Sequence, residues 1–333
     1  MKTKEKMKKI NIALIGCGSF ARGVHLPNLR AEGRFCIRAV VDPDFEAARS
    51  VAEAEGAEYW SEGAERALSD PGVEAVFIVT PHHLHAKFAI QAAHAGKHIF
   101  CEKPMGMDEA ECLAVEAAVR AAGVKYTVGY NRSLAPFTLQ ARCLLAGLQA
   151  PIMVFHRIAD WFPYSRGWLL DASLSGGRLI GEAGHALDMI CQLVGQDPVR
   201  VYAEGGNLVG IPPGETPDSA IITLGFPNGS AGVLFLSSIA NNGFPKEEIQ
   251  ITCANHTLVI NNFESMHIYS PEGNQAFTLP AMDKGQPALV SAFAQAVIED
   301  TPAPSSLDAA LRTSRCTFAA LESIRTRQTQ RLS

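Results

Sequence analysis

Six residues of apolar character, Ile10–Ile15 (INIALI), run directly into Gly16-Cys17-Gly18-Ser19-Phe20-Ala21. The pattern is GxGxxA after a strand. The first glycine permits a tight turn, the second lets the backbone approach a pyrophosphate, and small Ala21 lets a helix pack on the strand. Phosphate would then meet a helix N-terminus, where unsatisfied N–H groups and the helix dipole favour anions. A second apolar run, Cys36–Val41, ends in Asp42, 24 residues beyond Gly18. That is near the spacing of about 20 expected for a carboxylate holding the adenosine ribose. A carboxylate accepts from a free 2′-hydroxyl and repels a 2′-phosphate, so NAD is favoured over NADP. No arginine directly follows Asp42; Arg22 and Arg38 are the cations able to oppose this preference.

Apolar runs and helical patterns then alternate. Phe45–Glu55 reads as a helix stopped by Gly56, Ser61–Leu68 as a short helix capped by Ser61, and Asp70-Pro71-Gly72 as a turn. Glu74–Val79 is a buried strand, followed by a helix through Ala95 and a strand that ends at Cys101. Asp108 can cap a helix to Ala122, and Lys125–Val128 is the last strand of the series. Strands separated by helices of this length imply right-handed crossovers and a parallel, doubly wound sheet. From Pro151 the pattern changes to β-rich segments: Val199–Glu204, Ala220–Gly225, Gly232–Ser237, Glu248–Cys253, Thr257–Ile260 and Met266–Tyr269. Turns are read at Pro227-Asn228-Gly229 and Glu272-Gly273-Asn274, and helices near Pro287–Glu299 and Ser306–Arg325. The expected fold class is α/β, with a doubly wound domain over 1–130 and a second domain over 131–333 built on a β-rich sheet with two helices at its end. The helix 306–325 is placed to pack back on the first domain. One face of the second sheet must be covered by helices or by another subunit.

Composition narrows the function. A chain of 333 residues is long enough for two cores. Net charge is −5 and the pI about 6.1, so no basic field argues for nucleic acid or an anionic membrane. Residues 1–9 carry five lysines and one glutamate, with no apolar stretch of signal or membrane length behind them. Residues 1–8 read as a frayed tail. Eight cysteines form no CxxC; Cys101, Cys191 and Cys253 lie in apolar surroundings and suit free thiols in a reducing cytoplasm.

Chemistry concentrates in four stretches. In Cys101-Glu102-Lys103-Pro104-Met105-Gly106, two opposite charges follow a buried strand, at the sheet edge where open α/β folds bind ligands. Pro104 restricts Lys103 to extended geometry. Thr80-Pro81-His82-His83-Leu84-His85 ends another strand. Its histidines have no Cys, Asp or Glu at ligand spacing, so no metal is assigned; the loop is placed along the cofactor, with one histidine capping the next helix. In Gly181-Glu182-Ala183-Gly184-His185-Ala186-Leu187-Asp188, Glu182 and Asp188 flank His185 by one helical turn, which suits a proton acceptor near neutral pH. Asp160–Trp168 is aromatic and basic; Trp161, Trp168 and Arg166 suit the CH faces and substituents of a sugar ring. Tyr130, Asn131 and Arg132, past the last Rossmann strand, are candidate substrate or nicotinamide contacts.

With the Gly-rich turn, Val79–His85, Ala95-Gly96-Lys97-His98-Ile99-Phe100-Cys101-Glu102-Lys103-Pro104 and Gly129-Tyr130-Asn131-Arg132 in view, the chain resembles the glucose–fructose oxidoreductase / inositol dehydrogenase / rhizopine-catabolism (Gfo/Idh/MocA) oxidoreductases. The likeness spans nearly the whole chain, and it implies an N-terminal Rossmann domain with a doubly wound parallel sheet and a C-terminal α/β domain with a large, mostly antiparallel sheet. It implies NAD(P)-dependent oxidation or reduction of a CH–OH group in a sugar, cyclitol, sugar acid or nucleotide sugar. It implies cofactor contacts from Gly16, Gly18, Ser19, Phe20, Ala21, Asp42, Thr80, Pro81, His82, His85, Glu102 and Lys103, with Lys103 touching nicotinamide and substrate. Lys103, His185 and Glu182 are the expected catalytic group. The family pattern places an aspartate four residues before the histidine, where this chain has Gly181, with Glu182 one residue later. Either Glu182 replaces that aspartate, or Lys103 and His185 act without it. The Gly-Glu form resembles a branch of the family. A homodimer or homotetramer built through the second sheet is implied as well. An NAD-retaining glycoside hydrolase and a non-catalytic dinucleotide-binding regulator are the alternatives.

Overall fold

The computed structural model describes residues 9–162, 167–210 and 216–332. The chain divides into two compact units. The first takes the chain as far as Gly106, with Ala110–Gly129 and Gln286–Ala310; the second takes Met107–Glu109, Tyr130–Gly285 and the chain from Leu311.

The first unit is built on a six-stranded sheet: β1 (Ile10–Ile15), β2 (Phe35–Val41), β3 (Tyr59–Ser61), β4 (Ala75–Ile78), β5 (His98–Cys101) and β6 (Tyr126–Val128). The strand order is β3-β2-β1-β4-β5-β6, every pair parallel. This is the doubly wound arrangement expected. The order reverses at β1, whose carboxyl end carries the glycines, which is the switch point where such sheets bind ligands. The runs are apolar on both faces because helices cover both. Phe77 and Phe100 stack at 4.6 Å, and Phe293, on the helix Gln286–Glu299, packs edge-on to both. Burying a phenyl ring of this kind contributes about 1.5–3 kcal/mol.

Two local expectations are corrected. Ser61 does not cap a helix. It ends β3, its hydroxyl donates to the Gly63 carbonyl at 2.8 Å, and the helix starts at Glu65. The three half-buried residues of β3 have no apolar run to announce them. Nor does a histidine cap the helix His85–His94: its N-cap residue is Leu84, with no side-chain bond.

The second unit holds β7 (Met153–Ala159), β8 (Arg200–Gly206), β9 (Ser219–Gly225), β10 (Ala231–Ser237), β11 (Glu247–Cys253), β12 (His256–Asn261), β13 (Ser265–Ser270), β14 (Gly273–Thr278) and β15 (Gln330–Arg331). Their order is β14-β13-β12-β11-β7-β10-β9-β8-β15, antiparallel except for β7 with β10. Strict alternation decides the faces: Val154, His156 and Ile158 of β7 are buried, while Met153 is exposed. The buried face is covered by the helix Arg178–Val194, whose Leu179, Leu187 and Ile190 enter the core. The turn expected over Glu272-Gly273-Asn274 falls on Pro271 and Glu272, and Gly273, paired with Ser270, already begins β14. Residues 1–8, expected to fray, lie outside the described residues.

Candidate functional site

The Gly-rich turn of the first unit joins the end of β1 to the helix that follows. Gly16 has φ +90°, and a Cβ there would lie 2.4 Å from the Val79 carbonyl oxygen. Only glycine lets the end of β1 pass so close to the end of β4. A Cβ at Gly18 would meet nothing within 4 Å. That open space is the room a pyrophosphate needs against the backbone. Asp42, the residue after β2, turns back toward it. Its Oδ2 accepts from the Cys17 N–H and its Oδ1 from the Asp44 N–H, each at 2.9 Å. A carboxylate has roughly four acceptor positions, so these two bonds do not exhaust it. Burial first, and then Asp42, push the Cys17 thiol up to about 12, so this cysteine in the turn stays an unreactive thiol. Arg22 donates to the Cys17 carbonyl at 2.8 Å, whereas Arg38 is paired with Asp70 and Glu58.

The helix after the glycines does not begin as a plain α-helix. Ala21–His25 form a π-turn, closed by the Leu26 N–H donating to the Ala21 carbonyl, before the α-helix Leu26–Glu32. Such turns recur at functional sites because they redirect a side chain. Here the redirected residue is His25, which no local motif of the sequence marks. Its Nε2 donates to Glu102 Oε1 at 2.8 Å. Glu102 Oε2 accepts the Lys103 N–H at 3.2 Å. Burial pushes the Glu102 carboxyl up, but the His25 bond and the charges of His25 and Lys103 outweigh it and hold the group below its ordinary range. On the other side of the turn, fully buried His85 stands 2.8 Å from both the Pro104 and Thr80 carbonyl oxygens. Burial lowers its basicity, against the opposing pull of the two carbonyls. His82 is also buried, its ring 5.6 Å from that of His85.

In the second unit, His185 lies within the helix Arg178–Val194, 6% exposed and edge-on to Tyr130 at 6.1 Å. One turn earlier, Glu182 faces cations: Lys246 at 3.2 Å, Arg132 at 3.6 Å and Arg178 at 4.0 Å. Asp160 joins the same network through Arg178 at 2.6 Å and Lys246 at 2.9 Å. One turn later, fully buried Asp188 stands 3.5 Å from Arg312, and burial raises its carboxyl to about 6. Arg132 forks onto fully buried Glu247 at 2.7 and 2.9 Å, and Lys284 reaches the same carboxylate at 2.6 Å. Burial pushes Glu247 up; Arg132 first, with His156 and Lys284, reverses this and holds it well below its ordinary range. The Asn131 amide donates to the Lys284 carbonyl at 2.7 Å. The structure thus gives Asn131 and Arg132 interior partners, while Tyr130 stands beside His185. Trp161, 45% exposed, lines a cleft of ≈ 610 Å³ with Asn242, Phe244, Lys246 and Asn262. Trp168 sits in the short turn Gly167–Leu170, and Arg166 lies outside the described residues. No local signal could have found Glu247, which is 115 residues from Arg132.

Comparison with known proteins agrees with this geometry. The "Oxidoreductase family, NAD-binding Rossmann fold" profile matches residues 10–130, and the "GFO/IDH/MocA C-terminal domain" profile matches residues 149–259. The chain is 31% identical to the uncharacterized oxidoreductase YrbE of Bacillus subtilis over 241 residues, 71% of this chain and 70% of that protein. The chain belongs to the GFO/IDH/MocA oxidoreductase family. Within the family it is 28% identical to levoglucosan dehydrogenase of Pseudarthrobacter phenanthrenivorans over 320 residues, 86% of this chain and 77% of that protein. It is 26% identical to myo-inositol 2-dehydrogenase of Thermotoga maritima over 242 residues, covering 71% and 70%. The solved structure of levoglucosan dehydrogenase in complex with NADH and levoglucosan shares its fold, with a TM-score of 0.89 over 97% of this chain and 99% of that one at 22% identity. This GFO/IDH/MocA oxidoreductase therefore places its NAD-binding profile on the glycine turn, Asp42 and Lys103, and its C-terminal profile on His185. Among the described residues no helix is long and apolar enough to cross a membrane.

Proposed function

We propose that the protein is an NAD-dependent dehydrogenase acting on a secondary alcohol of a sugar or cyclitol. The observation that carries this reading is the glycine turn: open space at Gly18 beside the Asp42 carboxylate, which is turned toward the glycines. The names of its relatives, levoglucosan dehydrogenase and myo-inositol 2-dehydrogenase, support the substrate class. Gly16–Ala21 would hold the pyrophosphate and Asp42 the adenosine ribose. A bound nicotinamide supplies the hydride acceptor. Lys103 Nζ hydrogen-bonds the substrate oxygen and stabilises the negative charge that develops there, and a ring nitrogen of His185 receives its proton. Glu182 stands among Lys246, Arg132 and Arg178, and in this reading Lys103 and His185 act without a substitute for the family aspartate. Trp161 and the neighbouring cleft would face the sugar.

The test is a thermal-shift and turnover screen of sugars and cyclitols with NADH or NADPH, followed by Lys103→Met and His185→Ala on any accepted substrate. Unchanged turnover in both variants removes them from the mechanism; tight NADH binding with no turnover on any polyol favours a regulator. Glycoside cleavage without net NADH favours the hydrolase. NADPH binding as tight as NADH would overturn the role of Asp42. Met153, Ile221 and Tyr269 are exposed on one face of the second sheet, which supports pairing of two copies through it; a monomeric mass in sedimentation would end that part. The eight free cysteines accord with a cytoplasmic location.

A further inference from the structure

We propose that His25 is a positioning residue for Lys103, acting through Glu102. The argument starts from where the ring is. His25 is 3% exposed and walled by the ring edges of Phe20 at 5.4 Å, Phe77 at 6.1 Å and Phe100 at 5.4 Å. Among the described residues its Nδ1 meets no hydrogen-bond partner, and its Nε2 meets Glu102. An ionised carboxylate only accepts, so Nε2 carries the proton and donates. An imidazole placed among phenyl rings with a single polar contact has one polar task, which is to hold that carboxylate.

The carboxylate is boxed on three sides. His25 takes Oε1 at 2.8 Å, and the Lys103 N–H takes Oε2 at 3.2 Å. Gly129 lies against it: a Cβ there would stand 2.8 Å from both oxygens. Glu102 cannot rotate without losing the Lys103 N–H, and Lys103 is tied to Pro104 behind it. The starting direction of the lysine side chain is therefore set by a hydrogen bond from a residue 77 positions earlier. That residue stands on the π-turn leading out of the phosphate-binding glycines, so seating a dinucleotide at the turn and aiming Lys103 become parts of one framework. The inference rests on Lys103 being a reacting group, as proposed above.

Three variants separate positioning from bulk. His25→Phe keeps the aromatic packing and removes the donor; His25→Gln keeps an N–H donor. Gly129→Ala leaves His25 intact and pushes on the carboxylate from the opposite side. In cofactor-free protein, hydrogen–deuterium exchange of the segment 101–106 should rise about tenfold or more in His25→Phe and in Gly129→Ala, since a hydrogen bond to a charged group governs that amide. In the loaded enzyme the same two variants should lower kcat about tenfold or more while KM for NAD changes less than about twofold, and His25→Gln should restore kcat to within about threefold. The proposal is overturned if exchange and kcat stay at wild-type level in His25→Phe while Lys103→Met is inactive. It is also overturned if His25→Phe lowers only the melting temperature. If Lys103→Met itself keeps full turnover, the catalytic reading of Lys103 fails, and the exchange measurement alone decides whether His25 holds the turn.

Discussion

The two units assemble their functional groups by opposite routes. In the first, the groups stand at the carboxyl ends of adjacent parallel strands: the glycines after β1, Asp42 after β2, Thr80 just past β4, Glu102 and Lys103 after β5. Parallel register alone brings them to one edge, so each needs only its own strand end. In the second, His185 and its neighbours sit in mid-helix, and the charges around them come from Arg132, Asp160, Lys246, Glu247, Lys284 and Arg312, scattered over the sequence. A strand-end site is a product of topology, whereas a mid-helix site is a product of side-chain partners. On this contrast the first should tolerate exchange of individual polar groups without loss of fold, whereas exchanges in the second should cost stability as well.

That contrast can be tested from its strongest consequence downward. Lys103→Met should lower kcat/KM by about 10³–10⁴-fold with little change in the denaturation midpoint, because the residue is a strand-end group whose loss leaves the sheet intact. Steady-state kinetics and urea titration of the same sample check both halves. Glu247→Gln should do the reverse: removing the charge that Arg132 and Lys284 share in the interior should destabilise the protein by about 3–5 kcal/mol in urea unfolding. A variant as stable as wild type would show that the second unit is not held by this network.

Asp188 gives a pH-dependent version. Its folded carboxyl titrates at about 6, above its ordinary value of 3.8. The folded protein therefore binds the proton more tightly, so the contribution is fully present below pH 4 and is lost as pH rises through 6. Asp188→Asn should be more stable than wild type at pH 7.5, by up to about 3 kcal/mol, and nearly equal to it at pH 4. Denaturant midpoints across that range decide, and a difference independent of pH would refute the assignment. The smallest expected effect is at Trp161. Trp161→Ala should raise KM for the accepted sugar about two- to tenfold, leaving kcat and KM for NAD alone.

Much of the first unit was legible because its signals are local. Strand β1, the helix Phe45–Glu55 and its Gly56 stop were read to the residue, since an apolar run or a helical stretch with a glycine terminator needs no distant partner. β3 escaped because three half-buried residues carry no periodic signal, and β7 because His156 occupies an inward position where alternation expects an apolar residue. The second sheet's other central strands were found within two residues by alternation, yet their order was not, since pairing across a sheet leaves no mark on either strand alone. Glu182 shows the limit most clearly. Its spacing from His185 is a property of one helix, whereas the Lys246 and Arg132 cations beside it come from distant stretches of the chain.

From its residues alone, this chain determined an α/β architecture, a dinucleotide turn at Gly16–Ala21 and a lysine at a strand end, because periodicity, glycine geometry and proline restriction all act over a few neighbours. Tertiary structure decided which charges are neutralised and which side chains are aimed. His25 reaches Glu102 and Arg132 reaches Glu247 only after the chain has closed long loops around them. A carboxylate's role follows from what stands within hydrogen-bonding distance of it, and that distance is not a property of any short stretch of sequence.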